Sequence, residues 1–305
     1  MYLYFGSDHF SLEVLKGLHA IKPPLAIVTQ PDRPAGRKQQ LKPGPLAIYA
    51  QEQGLKYVQP ENLKSSESQD AVLSFKAELM IVVSFGQILP SSFLARCPAL
   101  INGHASLLPA YRGASPIQSC LLQGEKQTGM TIMHIVKALD AGPMICYKVL
   151  PLEPRETHGS LSHKLITAGI ELLTPYVLGK QVPEGQQQDH TMATYCHKLD
   201  KSDCHLNPIQ QEGEQLDRII RAFSPQPGAF VVIDTPKGSK QLKIISALLK
   251  DSSSLCAGLH RVEHEMFLVG KNGRGLSCQE VQLEGKPVLK TAEFLNGFRG
   301  DLRLA

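Results

Sequence analysis

Leu79-Met80-Ile81-Val82-Val83-Ser84 decides how this chain is read. The run is apolar without alternation, so it does not describe a strand with one wet face. It reads as a strand buried on both faces, the pattern of a parallel sheet covered by helices on either side. Toward the N-terminus, Tyr2 to Phe5 is a short apolar run closed by Gly6, and it reads as a first strand. Phe10 to His19 carries Leu12, Val14, Leu15 and Leu18 at helical spacing. Leu25 to Thr29 is a second strand, and a helix is expected near Leu46 to Gln53. Ala99 to Asn102 is another short strand on the C-terminal side. Strands alternating with helices predict an α/β domain, an open and mostly parallel sheet of Rossmann-like type, over residues 1–184.

The pattern changes after Leu178. Gly185-Gln186-Gln187-Gln188-Asp189-His190 is polar and aperiodic, so residues 185–206 read as a linker. Beyond it come one helix, Glu214 to Phe223, and short strand-like runs at Ala229–Ile233, Leu242–Ala247, Glu265–Val269 and Leu276–Val281. Residues 207–305 are therefore expected to form a small β-barrel domain.

The chain has 305 residues, 42% hydrophobic and 20% charged, enough apolar material for a core without a metal or disulfide staple. A net charge of +4 is well short of the excess expected of a nonspecific nucleic-acid binder. Any RNA partner must then be met by local patches. The seven cysteines are scattered and odd in number, which points to reduced thiols. Cys196-His197 and Cys204-His205 match no usual zinc spacing, and His260 and His264, though four apart, lack the Glu of a zincin helix, so no metal site is expected. The N-terminus shows no signal peptide and no apolar run approaches a membrane span, so a cytoplasmic protein without a membrane partner is expected.

Four segments carry candidate chemistry. In Asn102-Gly103-His104 the polar residues are two apart at the end of a predicted strand, so both side chains point to one side. Gly103 between them leaves room for a ligand or another backbone. Ligands of open α/β sheets bind at strand carboxyl ends. Asp140, in Leu139-Asp140-Ala141-Gly142-Pro143, opens a tight turn after the apolar run Met130 to Val136. Asn, His and Asp at adjoining strand ends suit acyl transfer. Asn102 and a protonated His104 would stabilise an oxyanion, while Asp140 would hold the imidazole and relay protons through a water. Residue types alone leave the plainer alternative open, in which His104 is structural and Asp140 is a turn former.

The third segment is Thr29 to Pro43, a long strand-to-helix loop with Arg33, Arg37, Lys38 and Lys42. Those cations suit phosphates, and a solvated surface loop is the alternative. The fourth, Ser84-Phe85-Gly86-Gln87-Ile88-Leu89-Pro90, offers exposed backbone to a flat heterocycle and Phe85, Ile88 and Leu89 as an apolar lining. Taken alone it is a strand-to-loop turn.

Together these residues resemble the methionyl-tRNA formyltransferase family. His104 to Gly113, HASLLPAYRG, is similar to the family's HxSLLPxxRG block. Gly129–Met133 and Leu139–Gly142 resemble its downstream signature, and Thr29–Arg37 its RNA-facing loop. Tyr195–Leu199 and Arg218–Gly228 resemble its linker and the start of its second domain. The resemblance implies 10-formyltetrahydrofolate as donor, with no metal, and the α-amino group of methionine on initiator tRNA as acceptor. It implies Asn102, His104 and Asp140 as the catalytic set. It places Ser106, Leu107, Leu108 and Pro109 on the folate-binding stretch, with Gln87 and Leu89 on the pterin-side loop. Arg37 maps to the arginine that engages the acceptor stem, and the C-terminal barrel becomes an oligonucleotide-fold domain along the tRNA. A monomer is expected. The chain departs from the family pattern at Gly6-Ser7-Asp8-His9-Phe10, Gly103, Ala141, Pro143 and Asn207-Pro208.

Competing readings are formyl transfer to another amine, hydrolysis of the formyl donor, and a noncatalytic tRNA-binding module. A nucleotide-dependent oxidoreductase is disfavoured because the first strand-to-helix turn lacks GxGxxG.

Overall fold

In the computed structural model, Tyr2–Phe5 forms the strand β1, an interior strand of a seven-stranded sheet. The other strands are β2 (Ala26–Val28), β3 (Tyr57–Val58), β4 (Leu79–Val82), β5 (Leu100–His104), β6 (Gln127–His134) and β7 (Met144–Pro151). Their spatial order is β7-β6-β5-β4-β1-β2-β3. β1 pairs in parallel with both β2 and β4, β2 with β3, and β4 with β5. β6 and β7 add an antiparallel edge. The structure describes residues 1–35, 40–236, 238–251, 255–298 and 302–305.

Alternation along the central strands explains the unbroken apolar runs. Tyr2, Tyr4, Ile81, Val83 and Ile101 enter one hydrophobic cluster, and Leu3, Phe5, Met80, Val82 and Leu100 enter the other. Both faces are therefore dry, as a doubly covered parallel sheet requires. The helix α1 (His9–Ile21) follows β1 and buries Leu12, Val14, Leu15 and Leu18. Asp8 caps it by accepting the Ser11 N–H at 2.8 Å. Thus the Ser-Asp-His departure in the first turn still supplies a sound helix start.

Two segments of the polar stretch after β2 form strands. Arg33–Ala35 and Gln40–Lys42 pair as an antiparallel hairpin, with Arg33 opposite Lys42. No apolar alternation announces it, because neither face is buried.

Contacts divide the chain into two units. The first comprises Met1–Gly113, Gln127–Pro151 and Ser162–Cys196, and the second comprises Ala114–Lys126, Leu152–Leu161 and His197–Ala305. Two segments that precede the polar stretch at 185–206 in sequence therefore belong to the second unit. There the helix α2 (Pro116–Gln123) packs on α3 (Gly213–Phe223). α3 buries Leu216, Ile219, Ile220 and Phe223. Its buried Asp217 pairs with Arg221 at 2.7 Å. The second unit's strands are β8 (Ala229–Ile233), β9 (Lys240–Asp251), β10 (Gly258–Val262), β11 (Glu265–Val269) and β12 (Arg274–Leu283). They run β8-β9-β12-β11-β10, with every pair antiparallel. Register shifts around Ser246 bulge β9 and curl the sheet. No ladder joins β8 to β10 among the described residues, so the curl is a half-barrel. Bridges from His205 and Leu304 to β8 protect its edge.

Phe5 is fully buried and meets Phe85 edge-on at 5.4 Å. Phe5→Ala is expected to cost about 3–5 kcal/mol of stability. The measurement is a urea unfolding midpoint, and an unchanged midpoint would contradict this packing.

Candidate functional site

Asn102 and His104 lie on β5, opposite Met133 and Thr131 of β6. The strand alternation turns both toward one side and Gly103 toward the other. On Gly103's side a Cβ would come within 2.9 Å of Met130 Cε and 3.3 Å of Val83 Cγ2. The space left by Gly103 is thus filled by neighbouring side chains, and the expectation that it admits a ligand is corrected. The glycine instead lets Met130 pack tightly behind the site.

His104 is 6% exposed. Its Nε2–H donates to the Tyr111 carbonyl at 2.8 Å. A carbonyl only accepts, so this contact fixes which nitrogen carries the proton in the neutral ring. Nδ1 then faces Asp140 Oδ2 at 3.7 Å, longer than a direct hydrogen bond. The same Oδ2 accepts the Gly113 N–H at 2.8 Å. Asp140 and Tyr111 both adopt left-handed backbone conformations, with φ of 48° and 59°. Such positions cost about 1–3 kcal/mol and persist where surrounding contacts over-determine them. The Asn102 side chain has no hydrogen-bond partner among the described residues, which leaves its amide free for a ligand.

The stretch after His104 is held by two hydroxyls. Thr131 Oγ1 donates to the Ser106 carbonyl at 2.7 Å and accepts the Leu108 N–H at 3.3 Å. Ser106 Oγ donates to the Ala110 carbonyl at 2.6 Å. Leu107 packs where a Cβ on Gly129 would stand, 2.4 Å from its Cδ2. Ser106, Leu107, Leu108 and Pro109 therefore form a braced strip directly beyond His104.

The loop after β4 is pinned from several sides. Ser84 Oγ donates to Asp8 Oδ2 at 2.7 Å, and Ser7 Oγ donates to the Phe85 carbonyl. Gln30 Nε2 donates to the same carbonyl at 2.9 Å. Gln87 Nε2 donates to the Pro60 carbonyl at 3.1 Å, while its Oε1 is buried with no partner among the described residues. The apolar lining expected here is corrected in part: Phe85 is sunk in the core and Ile88 is 90% exposed, while Leu89 is half-buried against the core.

Arg33 and Lys42 are exposed and paired across the hairpin. Arg37 and Lys38 lie outside the described residues. All seven cysteines are reduced thiols. Burial pushes the Cys97 thiol up to about 11 and that of Cys278 to about 12, so neither is poised as a nucleophile. Among the described residues no three His, Cys, Asp or Glu side chains cluster as metal ligands, and no helix is long and apolar enough to cross a membrane.

Sequence reasoning missed the groups that hold the catalytic candidates in place. The Tyr111 carbonyl fixes His104, and Thr194 fixes Tyr111 by accepting its N–H on Oγ1 at 2.9 Å. Tyr195–Cys196 then adds a short parallel strand against Arg112–Gly113. Backbone acceptors leave no trace in residue types. The HASLLPAYRG match was the one signal that the Tyr111–Gly113 stretch belongs to the site.

The chain resembles known proteins along nearly its whole length. A formyl transferase family model matches residues 4–177, and a formyl transferase C-terminal domain model matches residues 198–299. A methionyl-tRNA formyltransferase of Geobacter sulfurreducens is 38% identical, over 97% of this chain and 93% of its own length. One from Staphylococcus epidermidis is 34% identical, over 98% and 97%. Among solved structures, an N-formyltransferase from Helicobacter canadensis, in complex with folinic acid and dTDP-3-aminofucose, aligns with a TM-score of 0.63. It is 17% identical and covers 91% of this chain and 98% of its own, which is a likeness of fold. On these matches and this architecture, the chain belongs to the methionyl-tRNA formyltransferase family.

Proposed function

We propose that this protein transfers the formyl group of 10-formyltetrahydrofolate to the α-amino group of methionine on initiator tRNA. The observation that carries the chemistry is the arrangement of Asn102, His104 and Asp140 at neighbouring strand and loop ends, with the Asn102 amide unpartnered among the described residues and His104 fixed at Nε2 while Nδ1 faces Asp140. Attack by the amine forms a bond to the formyl carbon and puts a negative charge on its oxygen. Collapse breaks the bond to N10 of the folate, and the proton shed by the amine ends on N10. Asn102 supplies the oxyanion donor, an interaction worth about 3 kcal/mol of transition-state stabilisation. His104 and Asp140 carry the proton between the two nitrogens. No covalent intermediate on the protein is required.

The donor occupies the ground between the strip Ser106–Pro109 and the loop carrying Gln87 and Leu89. These segments follow the adjacent parallel strands β5 and β4, and ligands of open α/β sheets gather at such ends. The buried Gln87 Oε1, unpartnered among the described residues, favours a heterocycle with an N–H to give. Residues 1–184 would house this chemistry, joined through 185–206 to a tRNA-facing half-barrel at 207–305. The acceptor's phosphates would meet Arg33, Arg37, Lys38 and Lys42. The exposed Arg33–Lys42 pair across the hairpin favours RNA over a small amine.

His104→Ala is expected to lower kcat at least a hundredfold while the protein stays folded by circular dichroism. A loss below tenfold, about 1.4 kcal/mol, would contradict the assignment. Replacing Arg33 and Lys42 together by alanine is expected to raise KM for Met-tRNA and to flatten its salt dependence, with KM for the folate unchanged. An identical salt slope in the variant would remove the hairpin from the RNA interface.

A further inference from the structure

Gln188 sits in the polar stretch that the sequence assigns to a linker, yet it is 4% exposed. Its amide is used completely. Nε2 donates to the Asp140 carbonyl and to the Gly142 carbonyl, both at 2.8 Å. Oε1 accepts from Arg112 Nε at 3.1 Å and Nη2 at 2.6 Å. The Arg112 guanidinium, itself 2% exposed, has its other contacts with His190 Nδ1 at 3.0 Å and the Tyr195 hydroxyl at 3.4 Å. One neutral side chain thus ties the turn that carries Asp140 to the residue between Tyr111 and Gly113.

Those two ends are the ones that define the geometry at His104. Tyr111 supplies the carbonyl on Nε2, and Gly113 supplies the N–H on Asp140 Oδ2. Asp140 holds a left-handed backbone, and Gly142 runs so close to β6 that a Cβ would lie 1.9 Å from the His134 carbonyl oxygen. A turn this constrained needs its carbonyls satisfied inside the protein. Neighbouring contacts keep Gln188 in place. Gln186 exchanges two backbone hydrogen bonds of 2.7 Å with Met144, and the Pro183 carbonyl accepts from His134 Nε2 at 2.7 Å.

We propose that Gln188 is a positioning residue for formyl transfer, acting through Asp140 by clamping the 140–142 turn against Arg112. A glutamate would keep an acceptor for Arg112 but would turn a second acceptor toward two carbonyl oxygens. A methionine would keep the length and lose both functions.

The proposal rests on the assignment of Asp140 to the chemistry, and a double-mutant cycle separates the two ideas. Steady-state formyl transfer from 10-formyltetrahydrofolate to initiator Met-tRNA is measured for wild type, Gln188→Met, Asp140→Asn and the double variant. Gln188→Met is expected to lower kcat about thirtyfold with KM for the folate within about threefold, and to cost less than about threefold when Asp140 is already asparagine. A rise in KM with kcat unchanged overturns the proposal, as does the full thirtyfold loss persisting beside Asp140→Asn. A wild-type rate in Asp140→Asn alone overturns both ideas. Where Gln188→Met does not fold, Gln188→Glu is read by the same criteria, and loss of the fold in both marks a structural residue and overturns the proposal.

Discussion

The site depends on one carboxylate oxygen. Asp140 Oδ2 receives the Gly113 N–H and faces His104 Nδ1, while the other ring nitrogen is committed to the Tyr111 carbonyl. The imidazole can neither flip nor exchange its proton at Nε2 without breaking a part-buried hydrogen bond. What remains adjustable is the proton at Nδ1, on the side where Asp140 lies. A barely exposed histidine held in this way has its orientation set before any substrate arrives, which is the condition for efficient proton transfer and charge stabilisation.

That orientation is bought with backbone strain. Ser84, Tyr111 and Asp140 all adopt left-handed conformations that side chains other than glycine seldom take. Each is answered by a specific contact: Ser84 by the carboxylate of Asp8, Tyr111 by the Thr194 hydroxyl, Asp140 by the Gln188 amide. The parallel strands beneath contribute rigidity. Their side chains are buried alternately into two cores, so β5 cannot slip by one residue without repacking both cores and turning Asn102 and His104 to the opposite face.

The sheet was legible because burial on both faces writes itself into Tyr2–Phe5 and Leu79–Val83 as unbroken apolar runs. Asn102 and His104 were legible as a pair because strand periodicity is two. Asp140 was legible as a turn residue, and its grouping with Asn102 and His104 is what the resemblance through HASLLPAYRG and Leu139–Gly142 implies. Other features left no such mark. The hairpin at Arg33–Lys42 buries neither face, so it has no pattern to read. β10 is half exposed, with Gly258 and Leu259 buried and the rest turned outward, and its sequence GLHRV resembles a loop. Gln188 looked like one more glutamine in a polar run. Only the fold shows that two carbonyls and a guanidinium converge on it, because those partners are distant in sequence and two of them are backbone.

The most direct test of the account is a single-turnover formyl-transfer assay with 10-formyltetrahydrofolate and four parallel acceptors: initiator Met-tRNA, elongator Met-tRNA, free methionine and glycinamide ribonucleotide. The account predicts rapid transfer to initiator Met-tRNA and little to the other three. Transfer to a small amine with none to Met-tRNA, or release of formate in place of transfer, would contradict it.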